Sequence, residues 1–254
     1  MAFETSDKKT FIQTKQRDKV FGYHDIEGFQ AEIGEYRMRT ERTGPFYRYI
    51  RENGDKIEKD ISVEKGRFII NPVEPVNTPK NVTNFLQIKF RKPFLAEPKS
   101  SVDVYATFPV EIAVFIAAKK SVGIVDIFSL QKPKYTLYGN PRDGIICRYW
   151  ESDLYSEIPR LDRYREGVIK LRIVNSDTEW IEVKNAVFDI YGMKIYYNDE
   201  IVYSSASINI ISPKVAETKF IEQPLEEKMR KALELYTARR IAVTALKFVM
   251  EWGL

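Results

Sequence analysis

From Phe11 to Ile211 the chain is a succession of short β-type runs separated by turn residues, and no helical run falls between them. That spacing is the tightest constraint on its fold. A strand buries one face by alternation of period two, and successive strands joined by tight turns pair as antiparallel neighbours. Residues 27–39 read as a strand carrying Phe29, Ala31 and Ile33 on one side. Residues 46–51 and 56–63 flank Glu52-Asn53-Gly54-Asp55. The Asn-Gly pair accepts positive φ, which makes this a hairpin. A run at 67–70 precedes Pro72, Pro75 and Pro79, and a run at 85–90 precedes Pro93 and Pro98. Proline has no amide to donate, so both proline stretches read as connectors or edges. The second is the expected domain boundary, at residues 92–100.

Further β runs follow at 102–108, 111–118, 123–128, 135–138 and 145–150. Residues 168–174 and 180–188 read as a hairpin across Asn175-Ser176-Asp177-Thr178. A second hairpin joins 194–197 to 201–203 across Asn198-Asp199-Glu200, and 207–211 closes the β region. At Glu222 the pattern changes. Pro224 followed by Glu226 and Glu227 suits a helix start, and Leu225, Met229, Ala232, Leu233 and Tyr236 recur at helical spacing. A short second helix is expected at 246–252. The expected fold is therefore all-β, with two antiparallel β-sandwich-like domains at 1–95 and 96–221. A helical segment at 222–254 is expected to pack on the second of them.

Composition limits the chemistry. The 254 residues hold one histidine, His24, and one cysteine, Cys147. A His-Cys metal cluster within one chain is excluded, and a nucleophile-histidine site would have to rest on His24 alone. No catalytic group, metal or cofactor is assigned. Forty basic residues stand against 36 acidic ones, a net charge of +4, too even for the segregated basic stripe of a nucleic-acid binder. A single cysteine cannot form an internal disulfide and suits a reducing interior. Residues 1–9 are polar, with no apolar core of a leader behind them, and the apolar runs 110–118 and 241–245 are too short for a bilayer core of ~30 Å. The expected location is the cytoplasm, with a membrane reached only through a partner. Abundant Lys, Glu, Arg and Ile point to a thermophilic source.

The densest polar-aromatic stretch is Arg148, Tyr149, Trp150, Glu151, Ser152, Asp153, Leu154, Tyr155, Ser156 and Glu157. Aromatic faces beside carboxylates suit a carbohydrate, and two carboxylates about 5–9 Å apart could cleave a glycosidic bond. The same stretch, with Pro159, Arg160, Asp162, Arg163 and Arg165 behind it, also reads as a crossover loop pinned by arginine-carboxylate pairs. His24 and Cys147 read as structural. The glycine spacing from Gly139 to Gly144 is that of a phosphate loop, but Ile145 and Ile146 stand where its Lys and Ser/Thr would be. Lys228, Arg230, Lys231, Arg239, Arg240 and Lys247 are interleaved with Glu226, Glu227, Glu234 and Glu251, which marks a solvated, ion-paired face.

Several segments resemble an archaeal conserved family of unknown function. They are Ile69-Ile70-Asn71-Pro72-Val73-Glu74-Pro75-Val76-Asn77, Lys132-Pro133-Lys134-Tyr135, Ile146-Cys147-Arg148-Tyr149-Trp150, Tyr191-Gly192-Met193-Lys194 and Ala232-Leu233-Glu234-Leu235-Tyr236. The resemblance implies an archaeal origin and carries over no activity. The resulting expectation is a non-enzymatic binding or adaptor protein that recognises another protein, with a membrane protein's cytoplasmic face as one such partner. The alternative is a carbohydrate-binding or carboxylate-based glycoside-hydrolysing domain centred on 148–157. Edge strands leave self-association open.

Overall fold

A computed structural model describes residues 20–119 and 121–235 and the backbone of 246–249. The described chain begins with β1 (Gly22–Asp25), β2 (Gln30–Ile33), β3 (Tyr36–Thr43), β4 (Phe46–Glu52), β5 (Lys56–Ile61) and β6 (Arg67–Val73). It continues through β7 (Phe85–Ala96), β8 (Ser101–Pro109), β9 (Glu111–Ala118), β10 (Ser121–Phe128), β11 (Tyr135–Tyr138) and β12 (Ile145–Ser152). The remainder is β13 (Glu166–Asn175), β14 (Ile181–Asp189), β15 (Tyr196–Tyr197), β16 (Val202–Ser212), β17 (Val215–Phe220), β18 (Arg230–Lys231) and β19 (Leu246–Val249). One 3-10 turn at Ile190–Gly192 is the only helical element among the described residues.

The strands form four sheets. β2-β3-β4-β5 is an antiparallel meander, and β1-β6-β9-β10 is antiparallel throughout. β11-β12-β7-β14 contains one parallel pair, β12 with β7, and the largest sheet contains another, β13 with β16. The sheets face one another in pairs. The meander lies on the β1-β6-β9-β10 sheet, where the Phe68 ring centroid sits 4.9 Å from Phe29 and 5.9 Å from Tyr49. The β7 sheet lies on the β13 sheet, where Trp150 Nε1 donates to Thr107 Oγ1 at 2.9 Å and the Thr107 amide donates to Ser152 Oγ at 2.8 Å. One continuous buried cluster runs from Val20 to Ala232.

The strand boundaries follow the sequence reading closely in most places. The Asn53-Gly54 hairpin joins β4 to β5, and Gly54 has φ 98°. Four expectations need correction. The single strand over 27–39 is two strands, because Gly34 takes φ 58° and turns β2 into β3. The hairpin across Asn175 is instead a crossing between sheets: β13 pairs with β8 and β16, and β14 pairs with β7.

The boundary near residue 95 does not separate the pairings either. β7 runs through Pro93, since β12 pairs only with 86–90 and the β14 register shifts past the residues around the proline. No ladder bond is asked of that position. The chain then returns, because β9 pairs with β6 along its length. Pro72 is tolerated in β6 for the same reason, lying beyond the Gly22–Ile70 pair where β1 stops.

The helical C-terminal segment is the fourth correction. Residues 222–235 hold turns and the two-residue β18, and 246–249 form β19 paired with β17. Residues 236–245 and 250–254, on which the rest of that expectation falls, lie outside the described residues. Helix propensity is overridden by packing. Met229 is buried with Tyr196 and Tyr203, the Ala232 amide donates to Ile195 O at 2.9 Å, and Leu233 and Leu235 cover Ile69, Val73, Ala113 and Phe115. An alternating 233/235 contact needs an extended chain.

The two sheets of the first pair are locked by a buried charge pair. Arg51 Nε on β4 meets Asp126 Oδ2 on β10 at 2.5 Å, and Tyr49 OH donates to the same oxygen at 3.1 Å. The guanidinium also lies 4.9 Å from the Tyr36 ring centroid and 4.8 Å from that of Phe128. Removing one partner leaves the other charged and buried, which typically costs about 3–5 kcal/mol. We therefore expect Asp126→Ala to lose about 3–5 kcal/mol in urea unfolding. The double variant Arg51→Met/Asp126→Leu, which strands neither charge, should lose much less. Equal losses in the two would show that the pair is not what holds the sheets.

Candidate functional site

The stretch singled out in the sequence is divided by the pleat of β12. Arg148, Trp150 and Ser152 turn toward the interior, while Tyr149 and Glu151 turn outward and bond each other, Tyr149 OH to Glu151 Oε1 at 2.5 Å. Burial and the Glu151 carboxylate push the Tyr149 hydroxyl up to about 12. Asp153 is paired with Arg91 at 3.1 Å, Tyr155 forms an isolated bridge to Tyr105, and Glu157 is exposed. Arg148 and Trp150 thus share one face of β12, and Glu151 stands on the other. His24 Nε2 bonds Val20 O at 2.7 Å, and its ring meets Phe29 edge-on. Cys147 is buried on β12, and desolvation raises its thiol to about 12.

Arg148 belongs to a buried polar cluster beside the proline stretch. Glu111, which interrupts the apolar run of β9, accepts from the Asn77 amide at 2.9 Å and from Thr78 Oγ1 at 2.7 Å. Tyr135 OH donates to Thr78 O at 2.9 Å, and the Arg148 guanidinium lies 5.8 Å from the Tyr135 ring. Desolvation raises the Glu111 carboxyl and lowers Arg148. Nε and Nη1 of Arg148 are buried without a protein acceptor. This cluster fixes residues 77–78 onto β9 and β11. Nearby, Glu74 is buried under the 232–235 strap, where it accepts from the Leu235 amide at 3.4 Å. Desolvation raises its carboxyl to about 7.

The large concavity lies elsewhere. A groove of about 1750 Å³ runs between β2, the loop at 158–164 and the turn at 198–201. The β2 side is an open sheet edge. The Ile33–Tyr36 turn places Ile33 and Ala31 in hydrogen-bonded pairs with β3, and the Thr40 amide donating to Phe29 O continues that parity. The N–H and C=O groups of Gln30 and Glu32 therefore point away from β3, along the groove. Among the described residues they have no backbone partner.

The opposite wall is held by Arg165, which donates to Leu130 O at 3.0 Å, to Glu35 at 3.4 Å and to Asp162 at 3.5 Å. Arg163 donates to Asn198 O at 2.7 Å and lies over the rings of Phe21 and Tyr164. Ile158, Leu161, Ile201 and Leu225 supply apolar surface, with Ile158 39% exposed.

Sequence reasoning named the 159–165 loop as a pinned crossover, and the ion pairs of Asp162 and Arg165 agree with that reading. It missed β2 as an edge. Gly34-Glu35 was the available signal, a glycine breaking an alternating run two residues before the alternation resumes. No group of acidic, histidine or cysteine side chains placed to hold a metal ion occurs among the described residues. Among them, also, no helix is long and apolar enough to cross a membrane.

A family model described as "Protein of unknown function (DUF432)" matches residues 20–251. No curated protein and no solved structure matches the chain.

Two outcomes follow from the buried groups. A folded-state carboxyl raised from 4.5 to about 7 contributes stability below pH about 4.5 that is lost as the pH rises to about 7. The unfolding free energy of Glu74→Gln relative to the natural chain should thus rise by about 3 kcal/mol between pH 4.5 and 8. A pH-independent difference in urea unfolding would contradict this. Cys147 should resist a thiol reagent at pH 8 in the folded protein and react fully in denaturant, in a colorimetric thiol assay.

Proposed function

We infer that this chain, which belongs to the family described as a protein of unknown function (DUF432), is a non-enzymatic binding module for another protein. Its groove takes an extended segment of the partner, and the outward backbone groups of Gln30 and Glu32 pair with that segment as an added strand. The observation that carries this reading is the coincidence of an open sheet edge with the wall of a groove of about 1750 Å³. An edge with unpaired N–H and C=O groups is a template for a further strand.

The groove is poorly suited to carboxylate chemistry. Of the carboxylates on its walls Glu32, Asp162, Asp199, Glu200 and Glu226 are exposed and Glu166 alone is half-buried, so no two of them share the partly dry position from which an acid-base pair works. The buried carboxylates Glu74 and Glu111 do not line it. A lone cysteine, buried, supports a location in the reducing cytoplasm, with any membrane reached through the partner.

The test is selection of a random dodecapeptide display library on the full chain. Selected peptides should alternate apolar and polar residues and bind with micromolar affinity. A Gln30→Pro/Glu32→Pro variant removes the two outward amides and leaves the β2–β3 ladder bonds in place. It should weaken binding at least about tenfold, the loss of more than one backbone hydrogen bond. Absence of enriched peptides, or binding that ignores the variant, would refute the reading.

A further inference from the structure

Residues 232–235 cross the face of β6 and β9 that is turned away from the meander. Leu233 and Leu235 lie there on Ile69, Val73, Ala113 and Phe115, while Phe68 on the opposite face of β6 meets Phe29 and Tyr49. Glu74, the residue after β6, is 3% exposed and has its carboxylate under this strap. A carboxylate held dry is costly to ionise unless donors or cations compensate it.

Compensation is thin. The Leu235 amide reaches Glu74 Oε2 at 3.4 Å. Among the described residues the strap itself presents Glu234, a like charge, and Lys194, between the 3-10 turn and β15, is the facing cation. Lys194 is shared with Glu234 at 2.5 Å, and Lys231 of β18 joins that pair at 3.1 Å. On the sheet side Glu111 of β9 stands opposite Val73 but is bonded to Asn77 and Thr78. Burial prevails and raises the Glu74 carboxyl to about 7.

Two surfaces enclose this carboxylate, and the strap is the less firmly held. β6 pairs with β9 from Arg67 to Val73. The Glu74 backbone is pinned as well, because the Val76 amide donates to Glu74 O at 3.0 Å, Asn77 Nδ2 donates to the same oxygen, and Pro75 restricts the turn. The strap has the Ala232 amide on Ile195 O and, before it, the two-residue pairing of β18 with β15. A segment tied by so few backbone bonds opens at much lower cost than a sheet unfolds.

We propose that residues 232–235 form a strap latched by protonated Glu74, and that ionisation of Glu74 lifts the strap and uncovers the apolar face of β6 and β9. An ionised Glu74 regains water only when the strap moves, whereas the neutral acid is stable beneath it. The sign follows from the two states. The carboxyl titrates near 7 under the strap and at 4.5 when hydrated, so closure is strongest below pH 4.5, weakens as the pH rises to about 7, and then levels off.

The experiment is hydrogen exchange of the full chain at the Ala232 and Leu235 amides, followed by NMR from pH 5 to 8, with each rate divided by the intrinsic rate at that pH. Protection at both amides should fall about 70-fold over this range, as the shift of the carboxyl from 4.5 to about 7 requires. The Ile169 and Leu171 amides of β13, a strand paired on both sides, should exchange far more slowly. Low urea should speed those two without speeding the strap amides, since local opening exposes little surface. Glu74→Gln should abolish the fall. Glu234→Gln, which removes the like charge and leaves Glu74 in place, should bring the levelling-off to lower pH, and it provides the test if the first variant does not fold.

Protection that is flat from pH 5 to 8 in the natural chain overturns the proposal, as does a fall that persists in Glu74→Gln or a levelling-off that ignores Glu234→Gln. Strap amides that share the rate and urea dependence of the β13 amides also overturn it, because the strap then opens only when the whole fold does.

Discussion

The Arg51–Asp126 pair decides where the groove is. Two charges taken out of water are tolerable only if each finds the other and its remaining polar atoms are occupied. Tyr49 OH and the Ile127 amide occupy the Asp126 oxygens, and two aromatic rings lie against the guanidinium. This contact exists in one placement of the meander, with β4 over β10. β2 is then two strands away, at about 10 Å from β4, and its free edge faces the 158–164 loop. Arg165 holds that loop by bonds to Leu130 O, just past β10, and to Glu35 in the β2–β3 turn. Gly34 is required at that turn. A Cβ there would come within 2.5 Å of Leu130 Cδ2, and the residue has φ 58°.

Strand positions were legible because alternation and turn chemistry are local. The Asn53-Gly54 turn, β9 at 111–118 and β11 at 135–138 can be read from a handful of neighbouring residues. Which strand lies beside which is not local. Pro93 looked like a boundary, yet it falls where β7 lacks a partner on one side and the other register slips. The proline reports the absence of a hydrogen bond, which a bulge supplies as readily as a linker. The segment after Glu222 misled for a related reason. Spacings of three and four among Leu225, Met229, Ala232 and Leu233 fit a helix, but the backbone bonds go to β15 and Ile195, and the side chains divide among three clusters.

The candidate site was less legible than the fold. Arg148 and Trp150 attracted notice as polar and aromatic, and the structure turns both inward to serve the core. Glu111 was visible only as a break in an apolar run. A carboxylate in such a run signals either a solvent-facing position or a buried acceptor, and only the three-dimensional arrangement showed the Asn77 and Thr78 donors around it. The groove escaped notice because its main feature is backbone. Residue type says nothing about whether the N–H groups of Gln30 and Glu32 have partners.

A backbone edge also limits how tightly anything can bind. Gln30 and Glu32 each offer one donor and one acceptor, and a net hydrogen bond is worth about 0.5–1.5 kcal/mol. Four of them give about 2–6 kcal/mol before the cost of ordering an extended segment, a cost of several kcal/mol in itself. Apolar contact with Ile158, Leu161, Ile201 and Leu225 has to supply the remainder. The half-buried state of most of these residues leaves a modest area for it. A site of this kind is intrinsically weak, so selectivity depends on local concentration. A segment held near the edge by a partner already bound nearby would therefore be favoured over the same segment free in solution.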